Sequence, residues 1–230
     1  MSKAYTLSPN LVEALSWTLV SEFLRRYPKR YSLIQTHLGG GLYDCLALFN
    51  GKRPVADLNR AGSIHLWGEK HMTLKDPWER MTVEGGSRKL LDELCKRLKL
   101  TIPKKLPAAD SSTTLFRIVS AFLRMQVTDI HQWRCINGYL DTSGFGGGVI
   151  SGFDLFPGVR ERLSKSPCLR DFSDPAYSFW FLERDHEPVI CLAPGGKAFG
   201  KDGKESDLVK RYRDTKNVGV AVADLIGLLP

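Results

Sequence analysis

Residues 43–59 read YDCLALFNGKRPVADLN, two short apolar runs on either side of Asn50-Gly51. Asn-Gly is the strongest short hairpin signal, because both central positions of the tight turn need positive φ. Working outward, Tyr31 to His37 forms a strand before this hairpin, with Gly39-Gly40-Gly41 as the turn between them. A third strand begins near Val55 and runs on toward Ile64, His65, Leu66 and Trp67. Three consecutive strands joined by tight turns are an antiparallel meander.

A helix precedes the meander. Ser8 caps free amides and Pro9 at the first helical position loses no hydrogen bond. Leu11, Leu15, Leu19 and Phe23 then recur at intervals of four, with Trp17 on another face, and Pro28 stops the run. After the meander the pattern lapses from Lys70 to Gly86, where Asp76-Pro77 and Gly85-Gly86 read as breakers of a loop. Ser87 opens a helix carrying Leu90, Leu91, Leu94 and Leu98, with Arg88, Lys89, Lys96, Arg97 and Lys99 on its exposed face. Thr101 to Asp110, with Pro103 and Pro107, is the best linker.

Past the linker, Ser112 caps a helix with Leu115, Ile118, Val119, Phe122 and Leu123 on one face. The second half then repeats the opening order loosely. Trp133 to Leu140 leads to a second glycine triplet, Gly146-Gly147-Gly148, and a short helix covers Val159 to Leu163. Strands follow at Tyr177 to Arg184 and Pro188 to Ala193 about an Asp185-His186-Glu187 turn, then Lys197 to Gly200, a turn at Asp202-Gly203 and a helical tail to Leu228. The fold class is therefore α+β, helices packed on antiparallel meander sheets. Residues 1–100 and 111–230 are two units about a 101–110 linker, and packing of both as one domain stays open, as does duplication of one unit.

Composition sets the outer limits. The chain has 230 residues, 43% of them hydrophobic and 25% charged, a globular composition rather than a disordered or collagen-like one. Lys plus Arg is 33 against 25 for Asp plus Glu, a net charge of +8 that permits acidic partners without naming one. The opening MSKAYTLSPNLVEALSW does not have the form of a signal peptide, and no apolar run reaches membrane-spanning length. Cys45, Cys95, Cys135, Cys168 and Cys191 are widely spaced, odd in number and without a Cys-x-x-Cys pair. They read as buried thiols in a reducing cytoplasm, so no disulfide framework, metal or cofactor is expected.

Five patterns hint at chemistry. Gly195 to Asp202 (GGKAFGKD) mimics a phosphate-binding loop, but Asp202 stands where a Ser or Thr hydroxyl is needed, which favours a plain glycine-rich turn. Asp44 and Asp57 on adjacent strands suit a Mg²⁺-dependent nuclease core, yet Asp57-Leu58-Asn59-Arg60 offers no Lys two residues on. Cys45 with His37 or His65, and His131 with Cys135, are too sparse for a nucleophile pair or a metal site. Phe179-Trp180-Phe181 in a strand sends alternate rings to opposite faces, so one face is free to bind unless the sheet is covered twice. No complete catalytic motif is present, and the reading is a binding protein rather than an enzyme.

Larger stretches carry a resemblance: LVEALSWTLVSEFLRRYP, THLGGGLYDCLALF, VADLNRAGSIHLW, CINGYLDTSGFGGG, and FWFLERDHEPVICLAPGGKAFGKDG with DLVKRY after it. Together they resemble the TY-Chap families of bacterial peptide-binding chaperones, grouped with type III secretion chaperone-like and YbjN-like folds. In the family pattern the first glycine turn reads Thr-His-Pro-Gly-Gly-Gly, whereas Leu38 stands in place of Pro here. The resemblance implies a sheet face or edge that holds an extended segment of a partner protein, in a bacterial conflict or defence setting, with no catalytic residues to carry over. An exposed strand edge suits that use, since a peptide can add to it through main-chain hydrogen bonds. The surface expected to bind the partner is Gly39, Gly40, Gly41, Tyr43, Asp44, Asp57, Asn59 and Arg60. The alternative is a nucleic-acid-binding or degenerate nuclease-like subunit that uses the basic surface with Asp44 and Asp57.

Overall fold

The first half runs helix α1 (Pro9–Arg26), then strands β1 (Ser32–Thr36), β2 (Cys45–Asn50), β3 (Arg53–Asn59), β4 (Ser63–Leu66) and β5 (Met72–Lys75), then helices α2 (Pro77–Thr82) and α3 (Gly86–Arg97). The second half runs α4 (Ser111–Met125), β6 (Trp133–Gly138), β7 (Phe179–Arg184), β8 (Glu187–Leu192), β9 (Lys197–Gly200) and β10 (Glu205–Asp207), then α5 (Leu208–Thr215) and α6 (Val218–Ile226). Among the described residues each half is thus a helix, a five-stranded antiparallel meander and two further helices. The two similar halves of the α+β expectation are present. This computed structural model describes residues 7–36, 45–60, 62–67, 72–138, 156, 159, 179–193 and 195–230.

Local chemistry explains the boundaries. Ser8 Oγ accepts the Leu11 amide at 3.2 Å, and Arg25 and Arg26 occupy the last turn of α1, where cations suit the carbonyl end. The cap of α4 is Asp110 rather than Ser112, with Thr113 N donating to Oδ1 at 2.7 Å. Residues 70–86 are not the loop that was expected: they contain β5, α2 and the first residue of α3. Asp76-Pro77 starts α2 rather than breaking the chain, because Pro is tolerated at the first helical position. Residues 55–67 divide into β3 and β4 about a turn at Gly62, whose φ is +127°. The Gly195–Asp202 stretch runs through β9 toward the β9–β10 turn, and Asp202 pairs with Lys204 Nζ at 2.6 Å. Gly196 is needed there: its φ is +102° and a Cβ would lie 2.1 Å from Val209 Cγ2.

One buried cluster runs through both halves. Trp17 of α1 packs on Phe116 of α4 and Trp180 of β7, with ring centroids at 5.2 and 5.1 Å. The second sheet is covered on both faces. Trp180 and Leu182 join the main core, while Phe179 and Phe181 pack with Phe156, Val159, Cys191 and Phe199 in a second cluster. The aromatic run therefore leaves no face free, since Phe179, Trp180 and Phe181 are all buried.

The sheets meet along β1 and β6, and side chains close the β6 edge. In an antiparallel ladder alternate residues turn their N–H and C=O outward. On β6 these are Trp133, Cys135 and Asn137. Their amides donate to Asn10 Oδ1 (2.8 Å), Glu13 Oε1 (2.8 Å) and Gln35 Oε1 (2.7 Å). The Cys135 carbonyl accepts from Arg60 Nη2 at 3.2 Å. Where a neighbouring strand would otherwise pair, α1 and β1 supply side-chain oxygens.

Candidate functional site

Asp57 and Asn59, two of the residues expected to bind a partner, lie on the face of the first sheet that points away from the main core, where Cys45, Ala47 and Asp57 are buried and exposure rises toward β5. Register fixes this face. Ala47, Asp57, His65 and Thr73 stand opposite one another on β2 to β5, and Cys45, Asn59, Ser63 and Lys75 form the next row. The residues between them, among them Leu46, Leu58, Ile64 and Leu74, point into the core. Asp57 and Asn59, both expected to bind a partner, therefore belong to two rows that end on β5.

Hydrogen bonds tie the first row together. Trp67 Nε1 donates to Asp57 Oδ2 at 2.7 Å, His65 Nδ1 lies 3.1 Å from Thr73 Oγ1, and His65 Nε2 lies 3.0 Å from Ser63 Oγ. Asp57 is buried while Trp67 keeps 39% of its surface exposed, so the indole sits partly in water over a sheltered carboxylate. Burial raises the Asp57 carboxyl pKa above its ordinary value, against the Trp67 hydrogen bond and the His65 charge, which lower it. At the end of β3 the Asn59 carbonyl accepts from Trp78 Nε1 at 3.0 Å, which docks α2 against the strand.

Arg60 turns the other way. Its Nε lies 2.7 Å from Glu13 Oε2 and its Nη2 lies 3.2 Å from Glu13 Oε1, an ion pair whose side chains are 9% and 3% exposed. Glu13 also accepts from Trp17 Nε1 at 2.9 Å. Buried Glu183 is close enough for its carboxyl to feel both Glu13 and Arg60, and burial raises its pKa. The Cys135 thiol is pushed well up by burial and then by Glu13. A thiol held in its neutral form is a poor nucleophile and a poor metal ligand. Gly39, Gly40, Gly41, Tyr43 and Asp44 lie outside the described residues, as does His37.

The other patterns resolve structurally. His131 is engaged by Asp185 Oδ2 at 2.5 Å, while Cys135 is in the core, so the two do not face a common site. Among the described residues no group of three His, Cys, Asp or Glu side chains is placed to hold a metal ion. On α3, Arg88 pairs with Asp92, which Arg26 of α1 also reaches, and Arg97 pairs with Glu93, which Arg80 of α2 also reaches. No helix among the described residues is long and apolar enough to cross a membrane.

The Asp57 environment has a measurable consequence. A carboxyl whose pKa is higher folded than unfolded binds its proton more tightly when folded, so its contribution to stability falls as pH rises through that interval. Asp57→Asn keeps an oxygen for Trp67 and removes the charge. The variant is expected to melt above the parent chain at pH 7, with the gap closing as pH falls through the carboxylate range. Thermal melts at a series of pH values check this, and a constant gap would assign the effect to something other than ionisation.

Residues 14–230 match the family model TY-Chap2, described as T3SS (YopN, CesT) and YbjN peptide-binding chaperone 2. Comparison with curated proteins and with solved structures gives no match.

Proposed function

Since the chain belongs to the TY-Chap2 family of peptide-binding chaperones, we propose that it holds an extended segment of a partner polypeptide by strand addition, as a non-enzymatic chaperone or adaptor. The observation that carries this reading is the edge arrangement: β1 and β6 are turned toward each other, and the far edges, β5 and β10, have no strand beside them among the described residues. An extended chain satisfies such an edge with main-chain bonds and is selected by the side chains alternating along it. Buried Asp57 and half-buried Asn59 then stand in rows that end on Thr73 and Lys75 of β5, and Arg60 holds β3 to α1. The glycines 39–41, Tyr43 and Asp44 form the rest of the proposed surface. Cys95, Cys135 and Cys191 are buried thiols outside any disulfide, which supports work in the reducing cytoplasm; a defence setting goes with the family resemblance.

The test is a panel of unstructured 15-residue peptides, titrated by fluorescence anisotropy against the full chain. Binding in the micromolar range is expected for some of them. N-methylation of alternate backbone nitrogens should abolish it, because those donors enter the ladder. Equal affinity for methylated and unmethylated peptides would overturn strand addition, and absence of any binding would overturn the peptide-holding role.

A further inference from the structure

We propose that the outer edge of β5 is the docking edge, and that its occupant is an extended partner segment presenting an acidic side chain to Lys75 and an apolar one to the Met72–Leu74 side. This deepens the peptide-holding reading and rests on it. Asp76 N donates to the Gly62 carbonyl at 3.2 Å, which turns the even-numbered residues of this strand toward β4. Thr73 and Lys75 therefore direct their N–H and C=O groups outward. Their side chains are exposed on the outer face, while Leu74 is buried in the core and Met72 packs partly against it.

The competing edge is poorer. β10 has three residues and passes directly into α5, whose first turn it caps through Asp207 Oδ1, 2.9 Å from Lys210 N. Gly200 N donates to the Lys204 carbonyl at 2.9 Å, so Glu205 and Asp207 are the residues turned outward there, and both are acidic. β5 carries the opposite charge.

Chemistry along β5 specifies the guest. Lys75 makes no ion pair among the described residues, so a guest carboxylate opposite it meets an unpaired ammonium. Thr73 already bonds His65, which extends the polar row to the edge and leaves a small polar guest residue as the natural neighbour. On the inner side, half-buried Met72, whose Sδ lies 3.4 Å from Arg97 Nη1 of α3, offers an apolar neighbour to a guest apolar side chain. A lysine on an edge also discourages two copies of the same edge from pairing, which favours a different, acidic strand.

The experiment uses the full ¹⁵N-labelled chain and two decapeptides of alternating valine with threonine and glutamate, or with threonine and lysine. The glutamate peptide should slow exchange of the Thr73 and Lys75 amides and leave those of residues 205–207 unchanged. It should bind about fivefold more tightly than the lysine peptide, and Lys75→Glu should reverse that order. Protection at residues 205–207 instead would overturn the β5 assignment while leaving the peptide-holding role intact. Failure of both decapeptides, with members of the 15-residue panel still binding, would overturn the proposed pattern. An unchanged preference in Lys75→Glu, in a variant whose spectrum shows the native fold, would remove Lys75 from recognition. Protection of Thr73 and Lys75 that grows with protein concentration in the absence of peptide would assign the edge to a second copy, against the proposal.

Discussion

Glu13→Ala is expected to cost about 3–5 kcal/mol, the range for removing one partner of a buried ion pair. Three groups lose their acceptor at once: the Arg60 guanidinium, the Cys135 amide and the Trp17 indole. None of the three is placed to recover it from water, since Arg60 is 9% exposed and Trp17 and Cys135 are fully buried. The loss should appear as a shift in denaturant midpoint, with little change in slope if unfolding stays two-state. The double variant Glu13→Gln with Arg60→Met is expected to lose less than Glu13→Ala, because glutamine keeps an oxygen for the amide and indole while both buried charges disappear. A loss below about 1 kcal/mol in Glu13→Ala would show that the pair is hydrated rather than buried.

Trp17→Ala should be comparably severe, about 3–5 kcal/mol, the range for truncating a large buried aromatic. Trp17 has no exposed surface and lies in contact with Phe116 and Trp180, so the cavity would open where both halves contribute walls. Its indole also bonds Glu13, so the two replacements share a partner and their costs should not add. Equilibrium unfolding of the single and double variants measures the coupling. Additivity within about 0.5 kcal/mol would mean that the indole contributes packing alone.

Local signals carried most of the first half. Asn50-Gly51 marked the β2–β3 hairpin one residue early, since Asn50 pairs with Arg53 and only Gly51 of the Gly51-Lys52 turn has positive φ, while Ser8-Pro9 placed the start of α1, because each signal depends on a few neighbouring residues. The orientation of α1 was harder to read. Leu11 and Leu15 form a tidy four-residue repeat, yet both are only half-buried, whereas Asn10, Glu13, Trp17, Val20 and Leu24 are buried. A helix covered on several sides has no single apolar stripe, and two polar residues on its most buried line signal bonding partners far away in sequence. β5 was missed because four residues are too few to show alternation, and β10 because three are fewer still.

The candidate site was legible only in part. Asp57, Asn59 and Arg60 are close in sequence and read as one surface, but Asp57 and Asn59 share the outer face while Arg60 turns inward to Glu13, 47 positions away. The rest of the row, His65 and Thr73, becomes visible only once the β3–β4 and β4–β5 registers are known. Spacing alone does not supply those registers.

The side-chain closure of β6 also bears on how the chain folds. Asn10 and Glu13 lie 123 and 122 positions from the amides they receive, and Gln35 lies 102 positions from its own. Closing loops of that length carries an entropy cost before any contact compensates for it, which slows the step that forms them. During synthesis the first half leaves the ribosome with Glu13 and Trp17 still waiting for groups that have not been made. For that interval a member of a peptide-binding chaperone family carries an unsatisfied surface of its own, and α4 and β6 are the segments that relieve it.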